Sequence, residues 1–222
     1  MRMKAKRITL FAGHYGSGKT NIAVNFALRL AREGKRVSLG DLDIVNPYYR
    51  AKDSQEELEA AGVRLIASPY ANSNVDVPAL PQEMYALTED TAAYAVLDIG
   101  GDDRGALALG RYVPAIVQEN DYDMLFVFNR SRPLTRDAQS AYNILREIEA
   151  ACALPFTGIV HNTNLGPEST ADTVVSALPE LERLCAMTGL PVRFTAARSD
   201  IAPLLPKEIG EVFPMRLQKT IW

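Results

Sequence analysis

Gly13-His14-Tyr15-Gly16-Ser17-Gly18-Lys19-Thr20 fits the pattern G-x-x-x-x-G-K-[ST] at every fixed position. Residues 7–12, just before it, have the composition of a short buried strand, and residues 21–32, just after it, that of a helix. Strand, loop and helix in this order are the context that the pattern needs. The loop glycines lack a Cβ, so the backbone can take positive φ and turn its N–H groups inward. Together with the positive end of the following helix these groups form a nest for polyphosphate. Lys19 would place a compact cation on the β- and γ-phosphates, and the Thr20 hydroxyl would be a Mg²⁺ ligand.

Working outward, apolar β-type runs alternate with helical patterns along the chain. Strands are expected at 37–40, ending at Asp41-Leu42-Asp43, and at 63–67, 94–99, 122–128, 156–161 and 191–195. Helices are expected at 54–61, 79–88, 105–118, 135–151 and 169–187, the last interrupted at Pro179. Residues 68–77 read as a surface excursion, and the tail after Asp200 as short helical pieces broken by Pro203, Pro206 and Pro214. The alternation predicts an α/β fold: a doubly wound, mostly parallel sheet flanked by helices. No repeat or linker divides the chain, so residues 1–222 are expected to form one P-loop nucleotide-binding domain.

The 222 residues suffice for a sizeable core. A net charge of −3 gives no general affinity for nucleic acid or anionic lipid. The basic start of the chain is not followed by a signal-peptide h-region, and no apolar run is long enough for a membrane span, so a cytoplasmic protein is expected. Cys152 and Cys185 lie far apart in apolar, helix-like settings and read as buried free thiols. With His14 and His161 they are too few for a zinc site.

Ligands of open parallel sheets bind beyond the carboxyl ends of the strands, so polar residues there carry weight. Asp43 ends the second expected strand. Asp98 closes the apolar run Ala95-Val96-Leu97, the shape of a Walker B site whose carboxylate holds Mg²⁺ directly or through water. Asp41 is as well explained by capping or pairing. Gly100-Gly101 offer mobile backbone N–H groups that suit a γ-phosphate switch, or a plain turn. Asn162, just past the sixth strand, has a donor and an acceptor for a purine edge, with Asn164 competing for the role. Tyr48, Tyr49 and Arg50 suit stacking or loop packing equally. Arg104, Arg130 and Arg132 are candidate phosphate or partner contacts, against the commoner fate of a solvated arginine.

The series of phosphate loop, Gly34-Lys35-Arg36-Val37, Asp41-Leu42-Asp43, Asp98 with its Gly pair, and Ile159-Val160-His161-Asn162 resembles the MinD/ParA-like (SIMIBI-class) P-loop ATPases. The stretch from Asp41 to Arg50 resembles an uncharacterised ATP-binding subgroup. The resemblance implies ATP and Mg²⁺ as cofactors. It implies a binding site of Gly13, His14, Tyr15, Gly16, Ser17, Gly18, Lys19, Thr20 and Asn21, with Gly100, Gly101 and the adenine-reading Asn162. Lys19 and Asp43 would be catalytic, with Asp43 the switch I aspartate, and Thr20, Asp43 and Asp98 would hold the metal. Two departures stand out: His14 replaces a second lysine that reaches into a partner subunit's nucleotide, and Tyr15 replaces a glycine. A neutral imidazole does not reproduce that lysine's fixed charge, so a nucleotide-sandwich homodimer loses one of its requirements. No cysteine follows Asp98 to bridge a cluster, and the segment around Trp222 makes no amphipathic anchor.

These observations lead first to a slow, Mg²⁺-dependent ATPase acting as a nucleotide switch for an unidentified protein partner. A small-molecule ligase or kinase of the dethiobiotin-synthetase type is the second reading, with Arg50, Tyr70 or residues 72–76 lining an acceptor pocket. A non-hydrolysing nucleotide-binding module is the third.

Overall fold

A computed structural model describes residues 4–43, 51–67, 82–101 and 103–218. Tyr48, Tyr49, Arg50, Tyr70, the excursion at 68–77, the start of the helix expected at 79–88 and Trp222 lie outside the described residues.

Eight strands form a single sheet in the order β3-β2-β4-β1-β5-β6-β7-β8. They are β1 (Ile8–Ala12), β2 (Val37–Leu42), β3 (Val63–Ala67), β4 (Tyr94–Ile99), β5 (Tyr122–Phe128), β6 (Gly158–His161), β7 (Val192–Arg198) and β8 (Val212–Met215). Every pairing between them is parallel. A parallel strand needs cover on both faces, and all five residues of β1 are buried. On one face Phe11, Val96, Val127 and Val160 meet helix α1 (Lys19–Arg32) through Ile22, Phe26 and Leu30. The Phe11 and Phe26 rings meet edge to face with centroids 5.3 Å apart. On the other face Leu10, Leu97 and Phe126 pack in one core with Leu145 and Ile148 of a long helix and Leu181 and Leu184 of a later one.

The remaining helices are α2 (Gln55–Ala60), α3 (Ala86–Glu89), α4 (Asp103–Gly110), α5 (Val113–Glu119), α6 (Ala138–Cys152), α7 (Ala171–Val175) and α8 (Leu178–Thr188). Several differ from expectation for local reasons. The helix expected at 105–118 is two, because Pro114 opens a new first turn where its missing N–H costs nothing. The helix expected from 135 starts at Ala138, where the Asp137 side chain caps it by accepting from Ser140 N–H at 2.8 Å. Pro179 does not interrupt a helix but sits in the first turn of α8, and the break falls at Ser176-Ala177.

The tail after Asp200 corrects the expectation most. It contains β8, which extends the sheet beyond β7. Pro214 pointed away from a strand there, but β8 pairs on one side only, and an edge strand tolerates a residue without an N–H. Cys152 is buried and Cys185 half-buried, both free.

Candidate functional site

The sheet order reverses around β1, which lies between β4 and β5 while β2 lies beyond β4. A crevice opens at such a switch point, beyond the carboxyl ends of the strands. The loop at 13–18 crosses this point and runs into α1. Gly18 caps the helix at φ 91°, in the left-handed region, and a Cβ there would collide with the Asn162 amide nitrogen. The first helical residues, Lys19 and Thr20, are 4% and 5% exposed, held at the positive end of α1.

A cavity of about 420 Å³ lies against this loop. The loop side is Tyr15, Gly16, Gly18, Lys19, Thr20 and Asn21, and Asn162 and Arg132 also line it. Another wall is Pro167 with Met215, the last residue of β8, and Leu217 and Gln218 just after it. Hydrogen bonds tie that wall to α1: Gln218 N–H donates to Asn21 Oδ1 at 3.1 Å, and Arg216 N–H to Asn25 Oδ1 at 2.9 Å. Asn21 thereby fixes that wall as well as lining the cavity. Reading the sequence alone missed Met215, Leu217 and Gln218. The apolar Val212, Phe213 and Met215 were the available signal, masked by Pro214 among them.

Asn162 and Asn164 separate clearly. Asn164 has both ends engaged, donating to Asn162 O at 2.7 Å and accepting from Gly166 N–H at 3.1 Å. Asn162 donates its amide to Ser17 O at 2.7 Å, but its Oδ1 is buried without a partner.

Of the expected metal and switch residues Thr20 lines the cavity, whereas Asp43, Asp98, Gly100 and Gly101 are not part of its lining. Asp98 is fully buried and neither carboxylate oxygen has a hydrogen-bond partner. It pairs in register with Asp41 on β2, so the two side chains share a sheet face. Burial first, and then the charge of Asp41, raise the Asp98 pKa well above the carboxylate range, opposed by Lys19. Asp41 therefore belongs to this acidic pair instead of merely capping the strand. Its Oδ1 also accepts from the Asp43 N–H at 3.0 Å, which ties Asp43, itself 6% exposed, to the same corner.

Gly101 packs on the loop so closely that a Cβ would lie 2.7 Å from Tyr15 N and 2.8 Å from Gly13 O. Only a glycine lets these two backbones approach. Ser17 is fully buried, with an unpartnered hydroxyl. Lys19 Nζ reaches back to the His14 carbonyl at 3.4 Å. Burial lowers the His14 pKa, with the Tyr15 carbonyl opposing and the Lys19 charge assisting, so the imidazole is neutral at pH 7. Tyr15 is half exposed. Among the described residues no three His, Cys, Asp or Glu side chains gather as a metal cage.

Solved structures share this fold. The cell division protein FtsY from Thermotoga maritima superposes with a TM-score of 0.56 and 20% identity, over 89% of this chain and 65% of that one. Chloroplast FtsY from Physcomitrella patens gives 0.54 and 20%, over 88% and 59%. The signal recognition particle 54 kDa protein from Aeropyrum pernix K1, in complex with GDP, gives 0.52 and 18%, over 88% and 42%. The chain thus spans less than two thirds of each of these structures, and at such identities the likeness is one of fold. No curated protein sequence gave a significant match. Among the described residues no helix is long and apolar enough to cross a membrane. The family described as the CobQ/CobB/MinD/ParA nucleotide binding domain matches residues 8–173, three quarters of the sequence and all of the loop, Asp98 and Asn162, and the chain belongs to that family.

Proposed function

We propose that the protein binds ATP with Mg²⁺, hydrolyses it slowly and uses its nucleotide state to control a protein partner. The observation that carries this reading is Asp98. A buried carboxylate with no partner is costly, and it becomes favourable when a cation arrives to share its oxygens. It stands at a strand end beside the phosphate loop, within reach of the Lys19 charge. Thr20, Asp98 and Asp43 would hold Mg²⁺, which neutralises phosphate charge when bound; two or three oxygen donors suit an ion that keeps several of its waters.

The chain's own groups supply the rest. Loop N–H groups and Lys19 stabilise charge on the transferring phosphoryl group. Asp43 orients the attacking water, and the product is ADP and phosphate. Gly101, in contact with the Tyr15 and Gly13 backbone, is placed to move when the γ-phosphate leaves, and so to pass the nucleotide state outward.

The preference for adenine rests on Asn162. One of its two amide N–H groups is committed to Ser17, and its Oδ1 acceptor is left without a partner. An acceptor pairs with the exocyclic amine at C6 of adenine and repels the carbonyl at C6 of guanine. A cavity of about 420 Å³ is within the usual range for small-molecule sites.

The test is ATP and GTP binding and turnover with Mg²⁺ for the wild type and Lys19→Ala. ATP binding by the wild type and a rate at least about 100-fold above that of the variant are expected. Background rates and no nucleotide binding in both proteins would refute the proposal.

A further inference from the structure

Lys19 is the one loop cation aimed at the cavity, yet a magnesium nucleotide triphosphate still carries net negative charge. A second cation lines the same cavity from a different part of the chain. Arg132, half-buried in the turn between β5 and α6, lies over the loop and donates Nε–H to the Gly16 carbonyl at 2.6 Å. The rest of its guanidinium makes no hydrogen bond or ion pair among the described residues. That sets it apart from Arg7, Arg193 and Arg198, which are paired with Glu119, Asp123 and Asp200. A half-buried guanidinium with free N–H groups beside a cavity calls for an anion.

The turn that carries Arg132 is built to hold it still. Asn129 is fully buried; its Oδ1 accepts from Ser131 N–H at 3.0 Å, and its carbonyl accepts from the Thr135 hydroxyl at 2.7 Å. Thr135 N–H in turn donates to the Arg132 carbonyl at 3.1 Å. Arg132 itself is extended, at φ −104° and ψ 139°, the conformation that the following Pro133 imposes. With the backbone fixed and Nε anchored on Gly16, the two Nη groups have little freedom left to lose when they bind a ligand.

We propose that Arg132 is a phosphate-binding residue of this site: it contacts the nucleotide's polyphosphate from within the same chain, as a second cation beside Lys19. This rests on the nucleotide-binding reading above and adds a residue to it. His14, neutral and bonded to the Tyr15 carbonyl, cannot supply that charge. A single copy of the chain would then present two cations to the phosphates.

The experiment is calorimetric titration of Mg²⁺ with ATP and with ADP into wild type, Arg132→Ala and Arg132→Lys, at low and high sodium chloride. Folding of each variant is checked by thermal melting. Arg132→Ala is expected to bind ATP about 10- to 100-fold more weakly at low salt, the loss shrinking at high salt. Arg132→Lys is expected to recover part of the affinity, because it keeps the charge but loses the forked geometry. Unchanged ATP affinity in Arg132→Ala would overturn the proposal. So would a loss of the same factor at both salts with no recovery by lysine, which would mean that Arg132 only props up Gly16. Should Arg132→Ala fail to fold, Arg132→Lys decides: a partial loss of ATP affinity at low salt that shrinks at high salt supports the forked charge contact, and wild-type affinity, or a loss equal at both salts, overturns it. If the wild type itself bound no nucleotide, the underlying functional reading would fall, an outcome distinct from a wild type that binds and a variant that binds equally well.

Discussion

The two ends of β1 bury charge in opposite ways. Next to its first residue, Arg7 is 7% exposed and almost saturated: it is ion-paired with Glu119, and its Nη1 donates to the Leu87 and Ala93 carbonyls at 3.2 and 3.0 Å. Beyond its last residue lie the phosphate loop and Asp98, whose β4 position pairs with Phe11. There Asp98, the Ser17 hydroxyl and Asn162 Oδ1 are all buried without a partner. Both ends belong to one well-packed sheet, so the contrast does not come from poor packing. A buried charge with its bonds made holds chains together, whereas buried polar groups left open are costly unless a ligand completes them. One end of the strand is finished by folding and the other by binding.

The largest effect of a substitution is expected at the finished end. Arg7→Ala strands the Glu119 carboxylate and the Leu87, Asp90 and Ala93 carbonyls, and should cost about 3–5 kcal/mol of stability. For a chain of this size that lowers Tm by roughly 10 °C. Urea unfolding and calorimetry measure it, and ATP affinity of the folded protein should stay at the wild-type value. A Tm within a degree or two of wild type would show that the Arg7 cluster does not carry the weight assigned to it.

The sequence displayed the second end far better than the first. Gly13 to Thr20 announces itself because close backbone approach to phosphate demands glycine and lysine at fixed spacing. Asp98 was visible because an apolar strand ending in a carboxylate is rare without a purpose. Strands 63–67, 94–99 and 122–128 match the structure to the residue; the latter two are buried almost throughout and read as near-continuous apolar runs, whereas 63–67 is an edge strand with Arg64 exposed. Arg7 was read as part of a basic start, because its partner Glu119 is 112 residues away and no local pattern records such a pair. The same limit hid Asn21 against Gln218 and Arg132 against Gly16. β8 was hidden differently, by a proline whose meaning depends on whether the strand is at an edge. Asp41 was left ambiguous because its neighbour Asp98 comes from another strand, and only the register brings them together.

A third buried group tests whether an open polar atom always waits for a ligand. His161 is fully buried on β6, its Nε2 has no partner, and Nδ1 is 3.5 Å from the Thr195 hydroxyl. Burial lowers its pKa from 6.5 to about 4, so it is neutral when folded. A neutral ring tolerates its position, and no ligand is needed. The sign follows from linkage: the unfolded chain takes up a proton below 6.5 and the folded one only near 4. The contribution is therefore intact above 6.5 and is lost as pH falls towards 4. Wild type should lose about 3 kcal/mol more than His161→Leu across that window, as seen in urea unfolding at a series of pH values. Parallel pH profiles for the two proteins would mean that His161 takes up its proton equally in the folded and unfolded chain, contrary to the effect of burial.

The smallest effect is the most telling, because it should be a gain. Asp98→Asn keeps the shape of the side chain and removes a buried charge for which Lys19 compensates less than burial and Asp41 disfavour it. The variant should be more stable than wild type at neutral pH by about 1 kcal/mol, or roughly 2–4 °C in Tm. Its pH dependence has a fixed direction. The Asp98 pKa is raised on folding, so below the unfolded value of 3.8 the acid is neutral in both states and the variant has no advantage. As pH rises from there through the raised folded value, the wild type must either keep its proton against solution or ionise in a buried place, and the gap opens. Adding ATP and Mg²⁺ should reverse the ranking, because the ligand then stabilises wild type and not the variant. Calorimetry of both proteins, with and without the nucleotide, reads all three comparisons. A variant less stable than wild type before any ligand is added would place Asp98 with Arg7, as a charge already satisfied by folding, and the distinction between the two ends of β1 would fail.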